Sequence, residues 1–258
     1  MNLEEFYRHF RWWMEPGDKR AVERFHAIEE FFRGFEKASS VLDLCAGTGI
    51  AGAAAAKSLS ASKLTLVEMR EEDVRKVTTW LKIAGIEPEL KVITGDVLEL
   101  PSLAEKHDVA ILFGHSMPHF DPFQAVRLFA GVALVLGEDG RFFIEETDRI
   151  YRFLYRSVYQ PFRVEARGEG YSIISLYEGY DVERGMERRG YYRLPGFEKV
   201  TEMELRPWDT ASLLAIGRVF FRRGGMIKRE EHGITGVSDV ILLSKPRKKI
   251  AGELYSQF

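Results

Sequence analysis

Residues 40–56, SVLDLCAGTGIAGAAAA, constrain this chain more than any other stretch. They read as a short strand at 41–45, a tight turn at 46–49 and the start of an alanine-rich helix at 50–56. A strand that is apolar apart from Asp43 suits a parallel sheet covered on both faces. Glycines at 47 and 49 let a ligand touch backbone, and a helix start beside them favours an anion. Gly47 to Gly52 also spells G-x-G-x-x-G, which alone suits a dinucleotide. Asp43 argues against one: a carboxylate inside the strand would repel a pyrophosphate and suits a ligand carrying an ammonium group.

Strand and helix then alternate. A second strand at 63–69 carries Glu68, 21 positions beyond Gly47, where a carboxylate can accept hydrogen bonds from both hydroxyls of a ribose. A solvated loop acid is the plain alternative. Met69 offers an apolar face for an adenine. A helix at 71–84, with Val74, Val77 and Leu81 inward, stops at Gly85. A third strand at 90–94 leads to Gly95-Asp96-Val97, and a fourth at 108–113 leads to Gly114-His115-Ser116-Met117-Pro118-His119-Phe120. Asp121 caps and Pro122 opens the next helix, and a fifth strand occupies 141–146.

The run L-D-L-C-A-G-T-G resembles motif I of class I S-adenosylmethionine-dependent methyltransferases, with Cys45 where that motif has its first glycine. Motif-level likeness spans residues 41–146, and the C-terminal strands match in pattern. The resemblance implies an α/β fold: a doubly wound, mostly parallel seven-stranded sheet with an antiparallel last strand, plus N-terminal helices and an antiparallel β insert after strand five. It implies S-adenosylmethionine as cofactor, with S-adenosylhomocysteine as product. Asp43, Ala46, Gly47 and Gly49 would then hold the methionine portion, Glu68 the ribose, and Met69, Asp96 and Val97 the adenine. Gly114 would supply backbone near the sulfonium. Asp96 also reads as a simple turn aspartate. The N-P-P-Y or D-P-P-Y sequence of enzymes acting on nucleobase or glutamine amides is missing after strand four.

Ahead of the motif, residues 2–14 form an amphipathic pattern (Phe6, Phe10, Trp13), broken at Pro16-Gly17. A second helix follows, capped by Asp18, with Val22, Phe25, Ile28 and Phe32 inward. These helices read either as packing on the sheet or as a lid through which Tyr7, Trp12 and Arg20 reach a ligand. After strand five the alternation stops. A helix around Ile150, Tyr151 and Leu154 is followed by short antiparallel segments at 162–167, 170–177, 188–193 and 197–206. Nine arginines between 149 and 193 face six carboxylates there, a composition that suits either an anionic or aromatic substrate or an ordinary solvated sheet. A helix from 208–210 is expected to end at Gly224-Gly225, followed by a hairpin of 226–231 and 237–244 and a solvated basic run at 245–249. The expected organisation is an N-terminal helical lid (1–36), a cofactor-binding core (37–147), an antiparallel substrate cap (148–206) and the C-terminal part of the core (207–258).

His119 and His115 are the candidate bases, since an imidazole with an ordinary pKa near ~6.5 suits proton transfer at neutral pH. A loop histidine bonded to backbone is the alternative for each. No metal is expected, because His-x-x-x-His ligation works best on a helix and Pro118 forbids a regular one. A net charge of −2 gives no general pull toward nucleic acid or anionic membrane, and one cysteine excludes an internal disulfide. No secretory leader or membrane span is legible, which leads to a cytoplasmic expectation. One asparagine and three glutamines among abundant Glu, Lys and Arg fit adaptation to heat. The expected activity is methyl transfer to an oxygen or nitrogen of a small-molecule partner. The alternatives are a tRNA or protein acceptor, a nicotinamide-dependent oxidoreductase, and a catalytically silent cofactor-binding protein. The acceptor and the oligomeric state are left open by the sequence.

Overall fold

The computed structural model describes residues 15–157 and 159–257; the expected helix at 2–14, with Tyr7 and Trp12, lies outside them. The chain divides into two compact units. The larger holds most of residues 15–147 and everything from Thr210 on, and the smaller holds Met117–Phe123 and Asp148–Asp209.

In the larger unit, α1 (Lys19–Arg33) begins where the Asp18 carboxylate accepts from the Arg20 N–H at 2.7 Å, and it ends at Gly34. Its apolar stripe, Phe25, Ile28, Phe31 and Phe32, is buried. β1 (Ser40–Leu44), α2 (Ile50–Leu59) and β2 (Lys63–Glu68) follow, the two strands within one residue of the expected bounds and the helix starting where expected. The helix expected at 71–84 is two pieces, α3 (Glu71–Val74) and α4 (Val77–Ala84), broken at Arg75-Lys76 and stopped by Gly85 with φ +68°. The break sets Trp80 flat against Phe25, with ring centroids 5.6 Å apart. The indole N–H of Trp80 donates to Thr48 Oγ1 at 3.1 Å and so ties α4 to the glycine turn.

β3 (Glu89–Thr94), α5 (Leu100–Leu103) and β4 (His107–Leu112) continue the alternation. α6 (Pro122–Val135) runs directly into β5 (Leu136–Glu146), which starts five residues earlier than expected.

Near the C-terminus, α8 (Thr210–Phe220) passes straight into β10 (Phe221–Ile227), so Gly224 and Gly225 lie in a strand and do not end the helix. A Cβ on Gly224 would come within 2.7 Å of Leu243 on the neighbouring strand, so the small residue serves strand packing. The turn α9 (Arg229–His232) separates β10 from β11 (Asp239–Pro246). The basic run is solvated only in part: Lys249 is exposed, but α10 (Lys248–Tyr255) forms there, and the Lys248 ammonium donates to the carbonyls of Ala133 at 2.6 Å and Leu134 at 2.8 Å.

The seven-stranded sheet has the order β10-β11-β5-β4-β1-β2-β3. β11 is antiparallel to both its neighbours, while β5, β4, β1, β2 and β3 pair in parallel. This is the expected doubly wound sheet, reversed in its last strand. Parallel strands of one sheet share their carboxyl ends on one edge, and ligands bind at that edge where the strand order switches direction. Here the order turns at β1 and β4.

The smaller unit contains α7 (Arg149–Tyr155) and an antiparallel sheet of order β6-β7-β8-β9: Phe162–Gly168, Tyr171–Asp181, Met186–Leu194 and Glu198–Leu205. Ile173, Tyr191 and Met203 form its small core. Arg189, 2% exposed, is neither solvated nor turned to a substrate. Its guanidinium donates to Glu187 Oε1 at 2.6 Å, Ser175 Oγ and the carbonyls of Gln160 and Pro161, satisfying a buried charge.

Candidate active site

The turn that follows β1 begins at Cys45, whose φ of +51° is one that glycine adopts more readily. The cysteine thus occupies the left-handed conformation for which motif I ordinarily supplies glycine. Gly49 is confined by packing: a Cβ there would fall 2.7 Å from Val77 and 2.8 Å from Leu66. Gly52, one turn into α2, lies so close to β1 that a Cβ would meet Asp43 Oδ2 at 2.7 Å. Its N–H donates to that oxygen at 2.8 Å.

Asp43 is 1% exposed. Burial, opposed by the Gly52 hydrogen bond and reinforced by the charge of Glu68, raises its pKa from 3.8 to about 8. At neutral pH the carboxyl therefore holds a proton until a cation arrives. It lines a recess with Arg24 and Ile28 from α1, Cys45 and Ala46 from the turn, Ile50 and Ala51 from α2, and Phe113 and Gly114 beyond β4. A desolvated acid of this kind regains its charge only beside a cation, such as an ammonium group.

Glu68 closes β2, 6% exposed. Its Oε2 accepts the Gly47 N–H at 2.7 Å; its Oε1 accepts the backbone N–H groups of Met69 and Arg70 and the Arg70 Nε, all at 3.1 Å. Arg70, which the sequence reading overlooked, thus covers the acid expected to take a ribose. Met69 is 58% exposed, an available apolar surface. Asp96 Oδ1 accepts the Leu98 N–H at 2.9 Å and caps a short turn, while Val97 is buried. Glu68, Asp43 and Asp96 all act on the Cys45 thiol, which burial and these carboxylates hold well above the usual thiol range. The three acids singled out from sequence therefore all act electrostatically on one residue of the turn.

Gly114 and His115 follow β4 with positive φ values of +94° and +61°. The Gly114 N–H donates to Glu145 Oε2 at 3.0 Å, and Glu145 also pairs with the Arg24 guanidinium. Arg24 was missed as well; a cationic residue beside the apolar stripe of an otherwise inward-facing helix was the available signal. Arg20 is exposed on α1, and the lining residues from that helix are Arg24 and Ile28. His119 belongs to the smaller unit. The loop carrying it is pinned there by Trp208, whose indole N–H donates to the carbonyls of Met117 and Phe120 at 3.0 Å each, and by the Arg206 N–H to the Pro118 carbonyl at 2.8 Å.

Residues 41–140 match the model of a family described as a methyltransferase domain. No curated protein matches the chain. A structure from Pyrococcus horikoshii superposes with a TM-score of 0.64 at 19% identity, covering 94% of this chain and 99% of that one. An S-adenosylmethionine-dependent methyltransferase from Clostridium acetobutylicum gives 0.59 at 14%, with 95% and 97% covered. An amino pentose methyltransferase from Micromonospora echinaspora, solved with S-adenosylmethionine bound, gives 0.53 at 14%, with 95% and 97% covered. At such identities the likeness is one of fold. With the sheet order, the match gives residues 41–140 a methyltransferase domain on a doubly wound fold. No helix among the described residues is long and apolar enough to cross a membrane.

Proposed function

We propose that this chain is a class I S-adenosylmethionine-dependent methyltransferase that takes S-adenosylmethionine as cofactor and transfers its methyl group to an oxygen or nitrogen of a small-molecule acceptor. The bound sulfonium supplies an already activated methyl carbon, so the protein's work is alignment and exclusion of water. In this reading Asp43 meets the methionyl ammonium, and Arg24 stands in the same recess for the methionyl carboxylate. Ala46, Gly47 and Gly49 supply the turn around that portion, and Gly114 supplies backbone near the sulfonium. Glu68 takes the ribose hydroxyls once Arg70 Nε withdraws, Met69 and Val97 flank the adenine and Asp96 accepts its amine. His119 or His115 removes the acceptor's proton. Residues 1–36, with Tyr7 and Trp12, act as a lid; residues 37–147 and 207–258 form the core; and residues 148–206 act as a substrate cap.

The observation that carries the cofactor assignment is the buried Asp43 carboxyl in one recess with Arg24, an acid that can meet an ammonium and a cation that can meet a carboxylate, as a zwitterionic amino-acid group requires. The antiparallel insert after β5 and the likeness to sugar-directed methyltransferases support a small acceptor. Titration calorimetry with S-adenosylhomocysteine and with NADH tests the cofactor roles: binding of the first and not the second is expected. Consumption of labelled S-adenosylmethionine against fractionated metabolites tests the acceptor class, and activity confined to RNA or protein fractions would reject it.

A further inference from the structure

Two adjacent carboxylates end β5, and both are buried, each 1% exposed. Successive residues of a strand face opposite sides. Glu145 is paired with Arg24 and with the N–H groups of Gly114 and Ser238, the latter at 2.9 Å. Glu146 Oε1 accepts the Thr147 N–H at 2.9 Å and lies 3.4 Å from His115 Nδ1. The other ring nitrogen, Nε2, lies 3.3 Å from Ser238 Oγ. Ser238 is itself held, its N–H by Glu145 and its carbonyl by His232 Nε2 at 3.1 Å. The imidazole is one-third exposed and directly follows Gly114, which lines the recess beside Asp43.

We infer that His115 and Glu146 form a base dyad, in which Glu146 holds the Nδ1–H tautomer and His115 Nε2 receives the acceptor's proton, with Ser238 Oγ marking where the acceptor's hydroxyl or amine sits. The inference rests on the methyl-transfer reading above and chooses between its two histidines. Three features support it. A carboxylate behind Nδ1 fixes which nitrogen keeps its proton and leaves a lone pair on the other. A left-handed backbone at a non-glycine residue is a local cost that the surrounding fold must hold in place. At 3.4 Å the Nδ1–Oε1 pair is close but not aligned as a hydrogen bond, and catalytic contacts of this kind are often long or poorly aligned before substrate binds. In the step itself, a lone pair on the acceptor's oxygen or nitrogen forms the bond to the methyl carbon. The carbon–sulfur bond breaks with its electrons going to sulfur, and the acceptor's proton moves to Nε2. Glu146 keeps its charge and is a positioning residue; His115 is the catalytic one.

The charged and titratable groups around the ring are Glu146 and Glu145 from β5, Arg24 from α1 and His232 through Ser238. The test needs no acceptor. Imidazole 15N spectra of the full chain, recorded above the histidine titration range, should show His115 as the Nδ1–H tautomer. Glu146→Leu should lose that tautomer and Glu146→Gln, which keeps a carbonyl acceptor, should retain it. Carbethoxylation of His115 by diethyl pyrocarbonate should slow by roughly 10-fold or more in Glu146→Leu, the usual cost of removing a partner that holds an imidazole. An Nε2–H tautomer in the wild-type protein overturns the dyad whether or not the leucine variant folds. So does an unchanged tautomer in a folded Glu146→Leu protein. S-Adenosylhomocysteine calorimetry on the same samples keeps the two readings apart, since lost binding in the wild type rejects the cofactor roles and leaves the tautomer result standing.

Discussion

Asp43→Asn should make the ligand-free protein more stable near neutral pH while weakening its hold on the cofactor. The carboxyl has a pKa of 3.8 when exposed and about 8 in the fold. Between those values the folded state keeps a proton that the unfolded state releases, so stability falls as pH rises across the window. At about 1.4 kcal/mol per pKa unit, the penalty accumulated by pH 7 is about 4 kcal/mol. Asparagine removes this linkage and keeps an oxygen for the Gly52 N–H, but its amide N–H groups lose water, at a cost of about 1–2 kcal/mol. The variant should therefore gain about 2–3 kcal/mol near pH 7 and lose about 1–2 kcal/mol near pH 4, where the linkage has vanished. Urea unfolding at the two pH values measures both. S-Adenosylhomocysteine should bind about 10- to 100-fold more weakly, the worth of one hydrogen bond to a charged group. A variant less stable than its parent at both pH values, or one that binds the ligand unimpaired, would refute the reasoning.

Three further substitutions or reactions probe the same turn. Gly52→Ala places a methyl group 2.7 Å from Asp43 Oδ2 and should cost about 1–3 kcal/mol despite alanine's better helix propensity; unchanged urea stability would count against that packing. Arg70→Met removes the guanidinium that competes for Glu68 Oε1 and should tighten S-adenosylhomocysteine binding by roughly 2- to 10-fold, the worth of one ordinary hydrogen bond. Weaker binding would mean that Arg70 itself grips the ligand. The Cys45 thiol, held protonated by burial and three carboxylates, should resist iodoacetamide at pH 8 in the native protein and react on unfolding. Alkylation of native protein at the rate of a free thiol would disprove it.

Much of the fold was legible because local chemistry and tertiary packing agree. Asp18 caps α1, Gly85 stops α4, and the apolar run of β1 is covered on both faces, as residue type and spacing suggest. Where they disagreed, a distant partner decided. Lys248 belongs to a basic run that would be solvated alone, yet the carbonyls ending α6 take its ammonium. Gly224 ordinarily marks a helix stop, but here it lets a strand pass Leu243. Arg70 and Arg24 escaped notice because an arginine is informative only through the carboxylate it meets, Glu68 in one case and Glu145, 121 positions away, in the other.

From residue order alone came the strand, turn and helix of residues 40–59, and the placing of Asp43, Glu68 and Asp96 at successive strand ends, because both follow from periodicity and short-range sterics. Sheet register and helix packing decided the rest. They let the three carboxylates act on Cys45, strip the water from Asp43 so that it keeps its proton, and set Glu146 behind His115. Charge and tautomer depend on desolvation and on partners distant in sequence, Glu68 for Asp43 and Glu146 for His115, and only a folded chain supplies those.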